Sequence, residues 1–463
     1  MAKGKTDRPA GGGKQGAAFV ESLRKKGAER VRIGGFDIDG VLRGKYVSFE
    51  KLASLIDSGF GFCDVIFGWD SSDVLYDNTK ATGWHTGYPD TLAQADVSTL
   101  RSVPWEPGTV FILADFYSAP GKPLPICPRQ VLKRVLSMAE ERGYSPKFSC
   151  EYEFFFFQET PASVREKGYR ALTPLSPGMF GYSILRASRS SALVQDILGH
   201  LKAFDLEVEG LHTETGPGVF EAAIAYDEAL RSADKAALFK TAVKEIAAKH
   251  GLMAAFMAKW NENLPGCSGH IHQSLWDAKG SRNLFEARGE GEPVLNELFR
   301  HYLGGLRATL PEFLALYAPT INSYKRFVPG TWAPTAAHWG HENRTAALRV
   351  ITGPSAKAAR IECRVTAADI NPYLAFAANL AAGLHGIESR IEPGDPLHGN
   401  AYEQPETSAT SFPRTLKEAV VRLRKSDPAA RYLGKEFLDH YCATRDWEVR
   451  CFEKAVTNWE LER

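Results

Sequence analysis

Residues 150–158 read CEYEFFFFQ, and the architecture of the chain turns on how this stretch is placed. The run is β-prone and aromatic, and the period of two in a strand puts Glu151 and Glu153 on one face. Four consecutive phenylalanines, Phe154 to Phe157, argue against a solvated edge, the alternative placement, so the strand is expected inside the molecule. Two unpaired carboxylates buried side by side cost roughly several kcal/mol, and they call for a cation.

Working outward, the same spacing recurs. LHTETGPGVFEAAI (211–224) supplies Glu214 and Glu221 around a Gly-Pro-Gly turn, and CSGHIHQSL (267–275) supplies His270 and His272 two residues apart. RIECRV (360–365) places Arg360, Glu362 and Arg364 on one strand face. Five carboxylates with one imidazole form an oxygen-rich, hard donor set, sufficient for two divalent ions and favouring Mg²⁺ or Mn²⁺ over zinc. A nucleotide is the natural co-ligand of such ions. The chain has no G-x-x-x-x-G-K-[ST] and no G-x-G-x-x-G opening a helix, so phosphate recognition falls to side chains. Arg326 in NSYKRFVPG, Arg344 and Arg349 in ENRTAALRV, and then Lys357, Arg360 and Arg364 are interleaved with the acids. Their guanidinium forks suit a phosphate beside an acidic substrate.

The chain has 463 residues, too many for one ordinary core, and two domains are expected. Its 56 Lys and Arg against 55 Asp and Glu leave a formal charge of +1, which provides no field toward nucleic acid or a membrane surface. Seven cysteines without a CxxC pair argue against a zinc finger or a disulfide framework and fit a reducing cytoplasm. The Gly- and Lys-rich residues 1–16 have no apolar core and read as a disordered leader. A short helix is expected over VESLRKKGAERV (20–31), then two strands joined by a turn in VRIGGFDIDGVLRGKYVSF (31–49), and a further strand in VFILADFY (110–117). The Pro/Gly-rich SAPGKPLPICP (118–128) marks a boundary, which divides the chain into domains over 17–120 and 121–463. Beyond it, a helix with Pro128 in its first turn opens a larger α+β region.

The ordered motifs DIDG with RGK, EYE, HTETGPGVFE, SGHIHQS, NSYKR with VPG, NRTAALR and RIECR resemble those of the bacterial type I glutamine synthetases and their relatives, from about residue 20 onward. The resemblance implies a small β-grasp N-terminal domain and a large catalytic domain whose curved sheet lines a funnel. It also implies a homo-oligomer, a dodecamer of two rings with sites between subunits. By motif, Glu153, Glu214 and Glu221 match the ligands of one metal, and Glu151, His270 and Glu362 those of a second. Glu209, His272, Ser274, Arg344, Arg349, Lys357 and Arg360 match the ATP site, and Gly266, Arg326, Arg344 and Arg364 the glutamate site. Asp37 matches an acid that assists amine deprotonation in an adjacent subunit, with Asp39 two residues away as the alternative. The implied reaction activates L-glutamate with ATP as an acyl phosphate, which an amine then attacks.

One position departs from the ammonia-using members of the resembled family, which carry an acid just before the Ala-Pro that follows the VPG segment. This chain reads VPGTWAPT, with Trp332 there. Loss of the carboxylate weakens capture of a small cation, while an indole offers an apolar wall and a π face to an organic amine. The expected activity is therefore a γ-glutamylamide synthetase, with ammonia-using glutamine synthetase and a non-catalytic structural relative as alternatives. Which amine is used stays open, as does any modification of Tyr402, which sits in the generic context NAYEQ.

Overall fold

The computed structural model describes residues 13–289, 293–404, 407 and 410–463. The period-two pattern of CEYEFFFF becomes a 14-residue strand, and two sheets organise the chain on either side of the Pro/Gly-rich stretch. The first sheet contains β1 (Arg30–Phe36), β2 (Leu42–Val47), β3 (Phe60–Cys63), β4 (Asp90–Ser102), β5 (Thr109–Ala119) and β6 (Lys122–Pro123). Its order is β2-β1-β5-β4-β3, with β1 parallel to β5 and β6 paired to β5. The helix Phe49–Ser58, capped by the Ser48 side chain on the Lys51 N–H, covers it through Leu52 and Leu55.

The expected leader lies largely outside the described residues, but Gly13–Gly16 open a helix that runs to Lys25, earlier at both ends than the sequence pattern suggests. Its apolar stripe of Phe19, Val20 and Leu23 is extended a turn earlier by the close approach of Gly16. A Cβ on Gly16 would fall 2.1 Å from the Ala53 carbonyl oxygen, and the Gly16 N–H donates to Asp57 at 3.0 Å.

The second sheet is built on β7 (Tyr144–Phe157), with β8 (Val208–Thr213), β9 (Val219–Ile224), β10 (Asp227–Glu228), β11 (Met253–Ala255) and β12 (Gly269–Asp277). After a small hairpin of β13 (Ala287–Arg288) and β14 (Val294–Leu295), it is completed by β15 (Trp339–His341), β16 (Leu348–Ile351) and β17 (Arg360–Cys363). The order is β15-β16-β17-β12-β7-β9-β8, so β7 and β12 are interior. One face of β7 is packed: Tyr152 stacks on Phe239 of the helix Ala229–Lys249 at 5.8 Å, and Phe154 on Phe256 at 5.1 Å. Long helices Glu297–Tyr317 and Pro372–Ser389 bury most of their length against this side. This α+β architecture, a small mixed sheet beside a large curved sheet flanked by helices, is the one expected from the sequence. Among the described residues, no helix is long and apolar enough to cross a membrane.

Arg129 joins the two sheets. It is 4% exposed and donates to Asp96 of β4, Asp115 of β5 and Asp234 of the helix Ala229–Lys249, at 2.8–2.9 Å. Tyr373 adds a hydroxyl donor to Asp234 at 2.7 Å. Removing the cation strands three carboxylates in a low-dielectric seam. Arg129→Ala is expected to destabilise the protein by about 3–5 kcal/mol, read as a lowered urea midpoint, whereas loss of an unimportant surface pair would leave the midpoint in place.

Candidate active site

The open face of the second sheet carries the acids, and strand register brings them together. Glu151 of β7 stands opposite His270 of β12, Glu153 opposite Glu221 of β9, and Glu362 of β17 between His272 and Arg349. The His270 Nδ1 lies 3.3 Å from Glu151 Oε1 and 3.4 Å from Glu362 Oε1. These three residues offer ligand atoms within 4.8 Å of one another, a set that fits a hard divalent cation sharing oxygen and imidazole donors. Glu153, Glu214 and Glu221 share the neighbouring part of the face. There the sequence reading missed His212, whose Nε2 lies 3.2 Å from Glu221 and whose Nδ1 lies 3.8 Å from Glu214. Its signal is present in LHTETG, where His212 precedes Glu214 by the strand period.

The electrostatics follow from this crowding. Burial pushes the Glu151 carboxyl up, but the hydrogen bond from His270 and the charges of His272 and His270 prevail and bring it to about 2. Glu362 is driven lower still, burial being outweighed by Arg364, His270, His272 and Arg349. Glu221 goes the other way, to about 7, because burial and the charges of Glu151 and Glu153 exceed the help from His212. His212 rises to about 9 through its hydrogen bond to Glu221.

Arginines border the acids. Arg349 donates to Glu362 at 3.0 Å and also pairs with Glu342. Arg364 donates to Glu362 and, through Nε, to the Arg344 carbonyl at 3.1 Å, so one side chain fixes both an acid and the loop carrying the exposed Arg344. Arg326 is 4% exposed and donates to the Val365 and Arg364 carbonyls at 3.0 and 2.9 Å. Gly266 lies against it: a Cβ there would come 2.4 Å from the Ala258 carbonyl oxygen and 3.1 Å from Arg326 Cγ.

A cavity of about 330 Å³ opens beside Glu151. Its walls hold five of the expected nucleotide residues, Glu209, His272, Ser274, Lys357 and Arg360, and Arg360 donates to His272 Nδ1 at 3.2 Å. The aromatic walls, Tyr226 and Trp276, were not anticipated; Lys147 sits 3.9 Å over the Trp276 ring. A larger cavity of about 820 Å³ lies between β1–β2 and the helix Ala229–Lys249, away from the carboxylates.

Two expected residues are not in this cluster. Asp37 is 1% exposed, with its oxygens occupied by the Asp39 and Val41 N–H groups and by Arg43 at 2.8 Å, and burial with the nearby Asp39 charge pushes it up to about 7. These contacts are all made within one subunit, and the expected role of Asp37 at an adjacent subunit's site concerns the assembled oligomer. Asp39 is engaged by Arg445. Trp332 is 59% exposed, and its φ of 63° is an unfavourable conformation for a bulky residue, at a cost of about 1–3 kcal/mol.

Comparison with known proteins bears directly on this arrangement. Residues 125–463 match the family model for the glutamine synthetase catalytic domain. The chain belongs to the glutamine synthetase family. Over 94% of its length, and 83% of the relative's, it is 50% identical to a type-1 glutamine synthetase of Dictyostelium discoideum. It is 39% identical to a glutamate–isopropylamine ligase of Pseudomonas sp, over 95% of this chain and 96% of that one. The solved structure "Apo GmaS without ligand" superposes with a TM-score of 0.82 at 31% identity, covering 95% of this chain and 97% of its own. Glutamine synthetases are ATP-dependent carbon–nitrogen ligases, and the acids, imidazoles and arginines described above occupy the sheet of that fold.

Glu362→Gln keeps the shape of the side chain and removes the charge. In a Mn²⁺ titration followed by electron paramagnetic resonance, we expect two ions per wild-type chain and loss of one, or weakening by about tenfold or more, in the variant. Unchanged stoichiometry and affinity would remove Glu362 from the metal set.

Proposed function

We propose that this chain phosphorylates the γ-carboxylate of L-glutamate with ATP and transfers the γ-glutamyl group to an organic amine, releasing ADP and phosphate. The observation that carries this reading is Trp332, exposed in the turn over residues 328–333, here called the flap, at the position where the family resemblance leads one to expect an acid in ammonia-using members. An indole there gives an incoming alkyl or aryl amine an apolar wall and a π face, in place of a carboxylate suited to ammonium.

In this reading Glu153, Glu214 and Glu221 hold one divalent ion, and Glu151, His270 and Glu362 a second; Mg²⁺ and Mn²⁺ fit both sets. Bound there, the ions neutralise the crowded carboxylates and the triphosphate. Glu209, His272, Ser274, Lys357 and Arg360 seat the nucleotide, with Arg344 and Arg349 at its γ-phosphate. Gly266 allows the close backbone approach that, with Arg326, Arg344 and Arg364, orients glutamate. Held in line, the γ-carboxylate oxygen bonds to the γ-phosphorus as the bond to ADP breaks; the amine nitrogen then bonds to the acyl carbon, the carbon–oxygen bond to phosphate breaks, and the proton lost from nitrogen leaves with phosphate as hydrogen phosphate. Arg326, Arg349, Arg360 and Arg364 are each anchored by a carboxylate or a backbone carbonyl, which limits their reorganisation during the transfer.

Glutamine synthetase using ammonia is the second reading, favoured by the 50% identity to a protein of that name. A phosphate-release assay with glutamate, ATP and a panel of amines separates the two. Burial of two or three methylenes is worth roughly 0.8 kcal/mol each, so a preference for the best amine over ammonia of about tenfold or more is expected. Trp332→Glu should lower kcat/KM for that amine and raise it for ammonia, with glutamate and ATP little affected. Equal loss with both nucleophiles would make Trp332 a packing residue.

We further propose a cytoplasmic dodecamer in which neighbouring subunits complete each site; the seven free cysteines suit a reducing compartment. Light scattering should give about twelve chains per active particle, and a fully active monomer would refute it.

A further inference from the structure

The flap that carries Trp332 is a turn with a strained backbone, and its tether lies in a distant part of the chain. Val328 accepts from the Thr331 N–H and, at 2.7 Å, from the Thr331 hydroxyl, and Gly330 and Trp332 both take positive φ, 79° and 63°. Ala333 is buried. A bulky residue in this conformation persists only where its surroundings hold it. The Tyr402 hydroxyl donates to the Ala333 carbonyl at 3.1 Å, immediately after Trp332.

Tyr402 is itself fixed from the substrate side. Its N–H donates to Asn400 Oδ1 at 3.1 Å, and the Ala401 N–H donates to the Thr345 hydroxyl at 3.0 Å. That hydroxyl donates to Asn343 Oδ1 at 2.7 Å, and Asn343 Nδ2 returns to the Gly399 carbonyl at 2.9 Å. Arg344 lies between Asn343 and Thr345, and its carbonyl accepts from Arg364. Burial raises the Tyr402 hydroxyl pKa, while the charges of Arg364 and Arg326 act to lower it.

We infer that Tyr402 is a positioning residue that fixes the Trp332 wall relative to the Arg344 loop and thereby sets discrimination between amines. The inference rests on the amine-ligase reading above. Among the described residues the hydroxyl donates to flap backbone, at Ala333, so it acts through Trp332, and its effect is confined to the second substrate.

The test is steady-state kinetics of the assembled wild type, Tyr402→Phe, Trp332→Ala and the double variant. Loss of one neutral hydrogen bond predicts that Tyr402→Phe raises KM for the best amine by about 3- to 10-fold, with KM for glutamate and ATP and kcat unchanged. In the Trp332→Ala background the same change should have no further effect on the amine, because the wall it positions is gone. Three results would overturn the inference: an unchanged amine KM, a parallel rise in all three KM values, or a full additive effect on Trp332→Ala. If the wild type accepts ammonia and no organic amine, the amine-ligase reading falls by itself. Tyr402→Phe is then compared with wild type on ammonia: a raised ammonia KM alone keeps the anchor, and identical kinetics refute it.

Discussion

Mutual repulsion among carboxylates on one face of a curved sheet is the constraint to which the rest of the molecule answers. Glu151, Glu153, Glu221 and Glu362 come from three strands, and register sets them opposite one another or opposite an imidazole. Water cannot screen such a group well inside the sheet, so cations are arranged around it: Arg349 and Arg364 at Glu362, and His212 at Glu221. The strand that carries the first pair can hold them there because its opposite face is locked by Tyr152 and Phe154 against the helix Ala229–Lys249. Packing energy on one side thus maintains electrostatic tension on the other.

The same logic, applied between domains, explains the seam. Arg129 gathers aspartates from β4, β5 and the helix Ala229–Lys249, while Arg32 pairs with Glu245 at 2.8 Å and Asn371 donates to the Asp37 carbonyl at 3.1 Å. Charged groups buried at a junction enforce one geometry more strongly than apolar surface alone, because any displaced arrangement leaves a group without its partner.

Much of this was legible in the sequence where a short-range rule applies. Alternation in CEYEFFFF located the central strand and the face of its acids, and the spacing of His270 with His272 fixed their shared strand. What escaped depended on side chains meeting across long separations. His212 reads as one more polar strand residue until register sets it against Glu221. Asp37 was legible as an acid in a turn, but its enclosure by Arg43 and the N–H groups of Asp39 and Val41 is tertiary information. The first helix was misplaced because its first turn packs through Gly16, which adds no apolar residue to the period of Phe19, Val20 and Leu23. Tyr226 and Trp276 line the cavity beside Glu151 from positions whose aromatic content alone suggests only a core.

The turn around Trp332 belongs to neither sheet, and its ring is largely in solvent. Mutational change there leaves the folded core nearly untouched, whereas change on β7 disturbs packing and charge balance together. On the proposed reading, a change of nucleophile at this turn carries little risk to the enzyme's abundance in the cell, because the acid-bearing sheet face is built from other elements.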